Sequence, residues 1–486
     1  MTVKTRFAPS PTGYLHIGGL RTALYNYLLA QKEQGTFLLR IEDTDRARYI
    51  EGATESMIAI LNNLGLTPNE GAALEDKTII SKGDKGPYVQ SERLEIYSEH
   101  IQKLLDQKKA YYCFCTKERL GEIRKQQEIA KLQPKYDRHC CNLTDEEIKT
   151  RLDAGEPHVV RLRIPDGKTT FQDAVRGPIT ISNSEVDDQV IQKSDGFPTY
   201  HLAVVVDDHL MGVTHVIRGE EWISSVPKHV ILYEAFGWEL PVFAHLPLIL
   251  NPDRSKLSKR QGDVAVENYL AKGYLPEALL NFVALCGFNP RGDQEIYTLQ
   301  ELIDGFDLSK INKGGAIFDR NKLDWMNGQY VKAMKNETLA NAVRPFLESE
   351  IDELLLVKVC GVEKERLTTL TELEERLPMY LAQPDYNTEI LVWKKTDKPD
   401  AIQQLTDVKT FLAKLSEENW KESTLIEEAV KRYISDNDKQ NGNVLWPLRV
   451  ALSGSERSPS PFELLWVFQK EESLSRLQKA LTNLAS

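Results

Sequence analysis

The sequence contains no apolar run long enough to cross a membrane, and its N-terminus lacks the basic-then-apolar pattern of a signal peptide. Cysteine is scarce, with six in 486 residues, and so few in a long chain do not suggest a disulfide framework. Internal repeats and low-complexity tracts are also lacking. These absences argue against a secreted scaffold and a membrane protein, and we expect a cytoplasmic protein.

An excess of basic residues is absent too. The chain has 61 Lys and Arg against 72 Asp and Glu, which gives a net charge of −11. Net charge acts through long-range steering, and a local basic surface on an acidic protein can still contact phosphates. The charge therefore counts only weakly against an RNA partner. The composition is otherwise that of a globular protein, 41% hydrophobic and 27% charged, at a length that predicts several domains.

The stretch from residue 6 to residue 19 predicts a strand, a tight loop and a helix. Val3–Phe7 has a strand pattern, two prolines and a glycine follow it, and apolar residues then recur at helical spacing. This places His16, Gly18 and Gly19 at a helix N-terminus, where free N–H groups and the helix dipole favour phosphate. An ordinary turn with a surface histidine is the alternative interpretation of this stretch alone.

A second polar stretch, Asn251 to Arg260, follows the strand-like Val242–Leu250. It carries Lys256 and Lys259 with Ser258 between them. Seen alone, it is typical of a solvated basic loop.

Together the two stretches resemble the paired signature loops of the class I aminoacyl-tRNA synthetases. Further segments resemble the glutamyl-tRNA synthetase family in particular. In chain order these are Arg40–Arg46, Gly86–Arg93, Pro198–Leu202, Val206–Gly212 and Val216–Trp222. The matches keep their order over the first two-thirds of the chain. One departure is Gly19, where many class I enzymes have histidine.

The resemblance implies ATP-dependent activation of L-glutamate to glutamyl-adenylate and transfer to the 3′ terminal adenosine of tRNA-Glu. ATP would arrive with Mg²⁺, and the enzyme would act as a monomer. Two lysines on a loop suit this reaction, because they can donate to phosphates whose charge grows in the transition state. The implied catalytic residues are His16, Gly18, Lys256, Ser258 and Lys259. The implied ATP site comprises His16, Gly18, Gly19, Glu221, Trp222, Ile249, Lys256 and Lys259.

Glutamate has two carboxylates and an ammonium group, so its pocket needs fixed cations and at least one acid. Arg6 and Arg218 are the candidates for the side-chain carboxylate, because a guanidinium matches a carboxylate bidentately. Glu42 would bind the α-ammonium. The implied glutamate site comprises Arg6, Ala8, Ser10, Glu42, Tyr200 and Arg218. A charged Arg218 favours glutamate over glutamine as the substrate.

Cys113, Cys115 and Cys140 have spacing that fits a structural Zn²⁺ site. The resemblance implies a fourth ligand at Asn142, which binds zinc poorly, and His139 or Cys141 could replace it. Free buried cysteines are the alternative.

The predicted fold is α/β: a class I synthetase Rossmann-like parallel sheet with an inserted acceptor-binding domain, followed by an all-α anticodon-binding region. Charged and apolar patterns add two local expectations, a buried strand over Leu202–Val206 and a solvated basic face over Arg476–Lys479. The predicted domains are 1–90 (first half of the catalytic domain), 91–194 (acceptor-stem-binding insertion), 195–253 (second half), 254–330 (connecting domain), 331–386 and 387–486 (helical anticodon-binding subdomains).

Several alternatives remain at this point. The enzyme could be non-discriminating and also charge tRNA-Gln, or it could be a catalytically inactive tRNA-binding paralogue. A paralogue that glutamylates a tRNA nucleoside would lack the helical C-terminal region. Arg366 stands where the family places an anticodon-reading arginine, and a solvated helix charge is an equal interpretation.

Overall fold

Strands alternate with helices through the first two-thirds of the chain, and helices alone follow, among the residues that the computed structural model describes: 2–257, 265–394 and 396–485. The contacts divide the chain into two units. The first consists of Met1–Leu270 with Pro276–Arg320, and the second of Ala271–Leu275 with Asn321–Ser486.

The strands are short and belong to the first unit. They are β1 (Lys4–Phe7), β2 (Thr36–Leu39), β3 (Glu70–Glu75), β4 (Thr78–Lys82), β5 (Ala110–Cys113), β6 (Val159–Leu162), β7 (Lys168–Asp173), β8 (Gly177–Ser182), β9 (Val190–Gln192), β10 (His215–Gly219), β11 (Val242–Leu246), β12 (Ile249–Leu250) and β13 (Ala316–Ile317).

The helices of the same part of the chain lie between or after these strands. They are α1 (Ile17–Lys32), α2 (Ala53–Asn63), α3 (Leu94–Asp106), α4 (Lys117–Ile129), α5 (Asp145–Asp153), α6 (Tyr200–Leu210), α7 (Val226–Phe236), α8 (Val266–Ala271), α9 (Pro276–Leu285) and α10 (Leu299–Gly305).

The remaining helices make up the C-terminal part. They are α11 (Arg320–Ala333), α12 (Asn336–Val343), α13 (Glu353–Glu363), α14 (Glu372–Arg376), α15 (Pro378–Leu381), α16 (Lys398–Ala413), α17 (Ser423–Asp436), α18 (Asn441–Ser453) and α19 (Pro461–Ala485). No helix among the described residues combines the length and the apolar character that a membrane span needs.

The main sheet has eight strands in the order β4-β3-β2-β1-β10-β11-β7-β8. Its six central strands pair in parallel, and β4 and β8 are antiparallel edges. Helix α1 packs on β1 and β2 through a face that includes Leu20, Leu24 and Leu28, all fully buried. Because the carboxyl ends of parallel strands share one edge, the residues that follow β1, β2 and β10 are brought together.

The segment 91–194 forms a three-stranded antiparallel sheet, β5-β6-β9, and also adds β7 and β8 to the main sheet. Strand β7 pairs in parallel with β11, with Asp173 opposite Phe243. The segment predicted as an insertion therefore shares the sheet of the catalytic domain at this edge. The domain boundaries given above remain predictions.

The strand predicted over Leu202–Val206 is wrong, because these residues lie in helix α6. A short apolar run has no periodicity that separates a buried strand from a helix buried on all sides. Every residue from Leu202 to Asp208 is buried. The helix continues past Val206, where the predicted strand ended, and therefore carries Asp207 and Asp208 into the interior.

The solvated face predicted over Arg476–Lys479 is also wrong for Arg476, which is 2% exposed. Its guanidinium lies 3.7 Å from the centre of the Phe468 ring and donates to the carbonyls of Met379, Leu452 and Ala382. Helix α19 breaks at Gln469, which has φ 59°. This arginine donates to carbonyl groups of two other segments, the α15 region and α18, and sequence periodicity cannot show that.

Arg476→Met should lower the free energy of unfolding of the protein by about 2–4 kcal/mol, because buried carbonyl oxygens lose their donors while the apolar volume is kept. Thermal and urea unfolding would measure the change. The matched control is Arg432→Ala, which removes an exposed arginine of α17. Equal stability of the two variants would contradict this account of Arg476.

Candidate active site

A cavity of 720 Å³ opens at the carboxyl ends of the central strands. All residues predicted for glutamate or ATP binding that the structure describes line this one cavity. They are Arg6, Ala8, Ser10, His16, Gly18, Gly19, Glu42, Tyr200, Arg218, Glu221, Trp222, Ile249 and Lys256. Ser258 and Lys259 lie outside the described residues. Sequence positions up to 250 apart thus converge as the parallel sheet requires.

His16 is the N-cap of helix α1. Its Nδ1 accepts a hydrogen bond from the backbone N–H of Gly18 at 2.9 Å, so the neutral ring carries its proton on Nε2. A Cβ on Gly18 would lie 3.3 Å from that Nδ1, which leaves little room for any side chain. The helix end therefore combines backbone donors, the positive end of the dipole and an imidazole donor, which together suit a phosphate.

Lys256 is an exposed residue on a hairpin that follows β12. The hairpin is closed by the N–H of Leu257, which donates to Ile249 O at 3.1 Å, and by the N–H of Asn251, which donates to Ser255 O at 2.8 Å. Lys256 itself pairs with Leu250 in an isolated antiparallel bridge. Its ammonium group is thereby carried on an ordered turn at the wall of the cavity.

Three arginines face three carboxylates beside the cavity, and two of the six residues, Arg6 and Glu42, line it. Arg6 Nε lies 3.2 Å from Asp208 Oδ1, and Arg40 Nη2 lies 2.8 Å from the same oxygen and 3.1 Å from Glu42 Oε1. Arg93 Nε lies 2.8 Å from Asp207 Oδ1. All six side chains are at most 5% exposed. The charges of this group balance.

The carboxylates of this group differ in acidity. Burial raises the pKa of Glu42, and the nearby Arg40 and Arg6 offset only part of that effect. Burial acts on Asp208 in the same direction, but Arg6 and Arg40 together outweigh it and hold the pKa of Asp208 below its usual value. Of these two carboxylates, Asp208 is therefore already stabilised as an anion, and Glu42 is the one that a further cation would stabilise.

Arg218 is a different kind of cation. It is 5% exposed, and no carboxylate among the residues described here lies within 4 Å of its guanidinium. Its Nη1 donates to the hydroxyl of Tyr200 at 2.9 Å, its Nε donates to His245 Nε2 at 3.1 Å, and its Nη2 lies 3.4 Å from His229 Nδ1. Burial and the neighbouring cations hold the pKa of His229 well below its usual value, and burial lowers the pKa of His245. Neutral groups thus surround a buried positive charge at the cavity wall.

Tyr200 and Trp222 form an aromatic wall beside Arg218. Their ring centroids lie 4.4 Å apart at an interplanar angle of 39°. Trp222 lines the cavity and remains 37% exposed, so part of its indole ring is accessible to a ligand.

Sequence reasoning missed most of the groups that hold these side chains. Asp208 and Arg40 lie within segments that matched the family, but their pairing with Arg6 and Glu42 depends on long-range packing. His245 appeared only as a member of the strand-like Val242–Leu250, and His229 was not singled out. The available signal was a charged residue inside a buried run, as in Val204–Asp208, since such a residue needs a partner.

The sulfur atoms of Cys113, Cys115 and Cys140 lie within 4.8 Å of one another. Cys115 Sγ and Cys140 Sγ are 3.6 Å apart, and the hydroxyl of Tyr136 lies 3.3 Å from Cys113 Sγ and 3.4 Å from Cys115 Sγ. A hydrogen bond from Cys140 lowers the pKa of Cys113 to about 4, and the pKa of Cys140 is raised in turn. His139 and Cys141 do not join this group.

The comparisons with known proteins first define a class. Residues 2–325 match the family described as tRNA synthetases class I (E and Q), catalytic domain, and residues 338–481 match the anticodon binding domain family. The first match covers more than half of the chain, so the protein is a class I tRNA synthetase of the glutamyl and glutaminyl group. The predicted fold class is confirmed.

The relatives narrow this class. A glutamate–tRNA ligase of Chloroherpeton thalassium is 47% identical over 99% of this chain and 98% of its own. That of Clostridioides difficile is 45% identical over 100% of both. A solved glutamate tRNA ligase from Elizabethkingia meningosepticum, in complex with its amino acid, has a TM-score of 0.89 at 36% identity over 100% of both chains. The chain belongs to the glutamate–tRNA ligase family, as its motifs predicted.

Glutamate binding should weaken as the pH falls, and it should do so at a higher pH than an ordinary glutamate side chain would cause. The pKa of Glu42 is raised, and a protonated Glu42 cannot pair with the α-ammonium of the substrate. Calorimetric titration of glutamate between about pH 8 and 5 would measure the effect.

The control for this titration is Glu42→Gln. It should bind glutamate about 10-fold or more weakly at pH 8, since a charged hydrogen bond is lost, and its affinity should change less with pH. A wild-type affinity that stays constant over the same range would contradict the role given to Glu42.

Proposed function

We propose that this protein is an ATP-dependent ligase that activates L-glutamate to glutamyl-adenylate and transfers the glutamyl group to the 3′ terminal adenosine of tRNA-Glu. The observation that carries the proposal is Arg218, a buried guanidinium without a carboxylate partner in the described structure, in the same cavity as the α1 N-terminus and Lys256. A buried cation is stable only with an anion or strong acceptors beside it. The side-chain carboxylate of glutamate would complete it.

The two candidate arginines differ in whether a carboxylate already pairs with them. Arg6 is held by Asp208 through Nε and Nη2, whereas the partners of Arg218 are neutral. We therefore assign the side-chain carboxylate mainly to Arg218. Arg6 would assist through Nη1, which has no hydrogen-bond partner among the described residues. Glu42, which lines the cavity, would bind the α-ammonium.

The phosphates of ATP would lie at the N-terminus of α1, where backbone N–H groups and His16 can donate to them. Lys256 would approach the leaving pyrophosphate, whose charge rises during displacement, and Ser258 and Lys259 are proposed to act with it. Mg²⁺ would arrive with ATP and neutralise part of the phosphate charge. Glu221, Trp222 and Ile249 would line the nucleotide side. Positioning and charge stabilisation would supply the rate, with no covalent enzyme intermediate.

The helical second unit supports a tRNA partner, since an enzyme that modified only a nucleoside would not need an anticodon-binding region. Arg366 is 36% exposed in its side chain, donates to Val362 O at 2.7 Å, and lies 3.5 Å from a Glu463 oxygen. Its guanidinium remains partly exposed while making these two contacts, which would suit a residue that reads a base. The anticodon-reading role of Arg366, a monomeric state, a cytoplasmic location and the choice between tRNA-Glu and tRNA-Gln remain proposals.

One structural Zn²⁺ is also proposed. A tetrahedral site with Zn–S bonds of 2.3 Å has sulfur atoms about 3.8 Å apart, close to the separation of Cys115 and Cys140. Cys113, Cys115 and Cys140 would bind the ion as thiolates, and the Tyr136 hydroxyl is the fourth donor in reach, in place of Asn142, His139 or Cys141. The ion would tie β5 to the short 3₁₀ helix His139–Asn142.

Wild-type protein should charge glutamate onto tRNA-Glu with ATP and Mg²⁺, and Lys256→Ala should lower kcat/KM about 100-fold, because one donor to the transition state is lost. Filter-bound radiolabelled glutamate measures this, with tRNA-Gln assayed in parallel. Charging of both tRNAs would define a non-discriminating enzyme. Lys82→Ala, on the exposed edge strand β4, is the control that should keep full activity.

Absence of charging on either tRNA, with tRNA binding retained, would contradict the ligase and leave a tRNA-binding paralogue. Retained activity of Lys256→Ala would contradict the role of the hairpin.

Protein purified from zinc-supplemented cells should contain about one zinc ion per chain by mass spectrometry of the metal. Cys115→Ser should lose most of it, and Tyr136→Phe should release it faster to a chelator. Cys141→Ser, a similar change outside the group, should retain it. Zinc-free wild-type protein would show that these are free buried cysteines.

A further inference from the structure

Three adjacent strands carry a row of polar side chains behind the cavity wall. Arg218 on β10 is opposite His245 on β11 in the parallel register, and Asp173 ends the next strand, β7. His245 and Asp173 are fully buried. Arg218 Nε lies 3.1 Å from His245 Nε2, and His245 Nδ1 lies 2.6 Å from Asp173 Oδ2.

The orientation of Asp173 is fixed by the backbone. Its Oδ1 accepts hydrogen bonds from the N–H groups of Val175 at 3.0 Å and Arg176 at 2.9 Å. Its Oδ2 is thereby directed to His245. Burial would raise the pKa of Asp173, but the hydrogen bonds from His245 and from these backbone groups outweigh burial, and the pKa is lowered.

A carboxylate can only accept a hydrogen bond, so His245 must carry its proton on Nδ1. Its Nε2 is then a lone pair, and this lone pair accepts the Nε–H of Arg218. The opposite tautomer would set two N–H groups against each other. Asp173 therefore fixes the tautomer of His245, and His245 in turn fixes the plane of the guanidinium.

The other hydrogen-bond partners of Arg218 are also neutral groups. Nη1 donates one N–H to the Tyr200 hydroxyl, and Nη2 donates one to His229 Nδ1. A guanidinium has five N–H groups, and these contacts with the one to His245 leave one on each terminal nitrogen. Two donors and a whole positive charge thus remain for a ligand. A carboxylate in place of His245 would have neutralised that charge directly.

We propose that Asp173 and His245 are positioning residues that hold Arg218 as a cation with neutral partners and thereby set the preference for glutamate over glutamine. This inference rests on the proposed function. The carboxylate of glutamate gains both the charge and the two donors, whereas the amide of glutamine offers one acceptor and presents N–H groups to a donor.

The test is the isosteric variant Asp173→Asn. Its oxygen can still accept from Val175 and Arg176, but its NH₂ would face His245 and force the proton to Nε2, against Arg218. The KM for glutamate in tRNA charging should rise about 10- to 100-fold, while the KM for ATP changes less than about threefold. The ratio of kcat/KM for glutamate to that for glutamine should fall by a similar factor.

Two further variants separate positioning from support of the fold. His245→Gln can donate to Asp173 and accept from Arg218, so it should keep the KM for glutamate at least about fivefold below that of His245→Leu, which can do neither. This pair also carries the test if Asp173→Asn does not fold. Thr170→Val, on the exposed side of β7, is the control and should retain wild-type constants.

A folded Asp173→Asn with wild-type KM for glutamate and wild-type selectivity would overturn the inference. So would a loss of kcat that is equal for glutamate and glutamine with KM unchanged, because that is the result of a structural role. Wild-type protein that charges no glutamate at all would instead overturn the proposed function, which the same assay shows first.

Discussion

The pairing of Arg40 with the carboxylates around it is the constraint on which the active site depends. Arg40 is fully buried at the end of β2, and it contacts Glu42 beyond that strand and Asp207 and Asp208 of α6. Removing one member of a buried ion pair costs roughly 3–5 kcal/mol, because the other charge is left without water or a partner. Residues proposed to contact the substrate, such as Glu42, are therefore paired with residues that stabilise the fold.

The same constraint extends beyond the cavity. Asp207 accepts hydrogen bonds from Gln90 at 2.9 Å and from Tyr97 of α3 at 2.8 Å, and Arg93 pairs with it at 2.8 Å. Helix α3 is thus fastened to α6, which also supplies Asp208 to Arg6. Charge balance inside this group leaves Arg218 without an acid, and this is why we propose Arg218 as the cation that receives the substrate carboxylate.

Part of the fold and of the candidate site was predictable from the sequence, because residues close together in the chain determine it. The helix at Ile17–Lys32 follows from its apolar spacing, and the convergence of Arg6, His16 and Glu42 follows from the geometry of parallel sheets. Arg218 was assigned to the site by the family resemblance. Helix α6 was not predictable, since Leu202–Val206 is apolar throughout. The partners Asp208, His245 and Asp173 were not predictable either, since each acts across strands or helices far apart in the sequence. Tyr136 could be placed near the cysteines from its position, but its contact with two sulfur atoms required the fold.

The pairing of β7 with β11 has a consequence for how this chain could be cut or recombined. An inserted domain whose two ends lie close together, and which adds no strand to the host sheet, can be exchanged between relatives as a unit. Here, exchange of the whole insertion would also replace β7 and β8. Without them β11 would become an exposed edge strand, and His245 would lose its hydrogen-bond partner Asp173. A chimera that keeps the host's Lys168–Ser182 and exchanges only what precedes it respects that boundary. The unit of exchange in this enzyme is therefore smaller than the insertion that the order of its segments suggests.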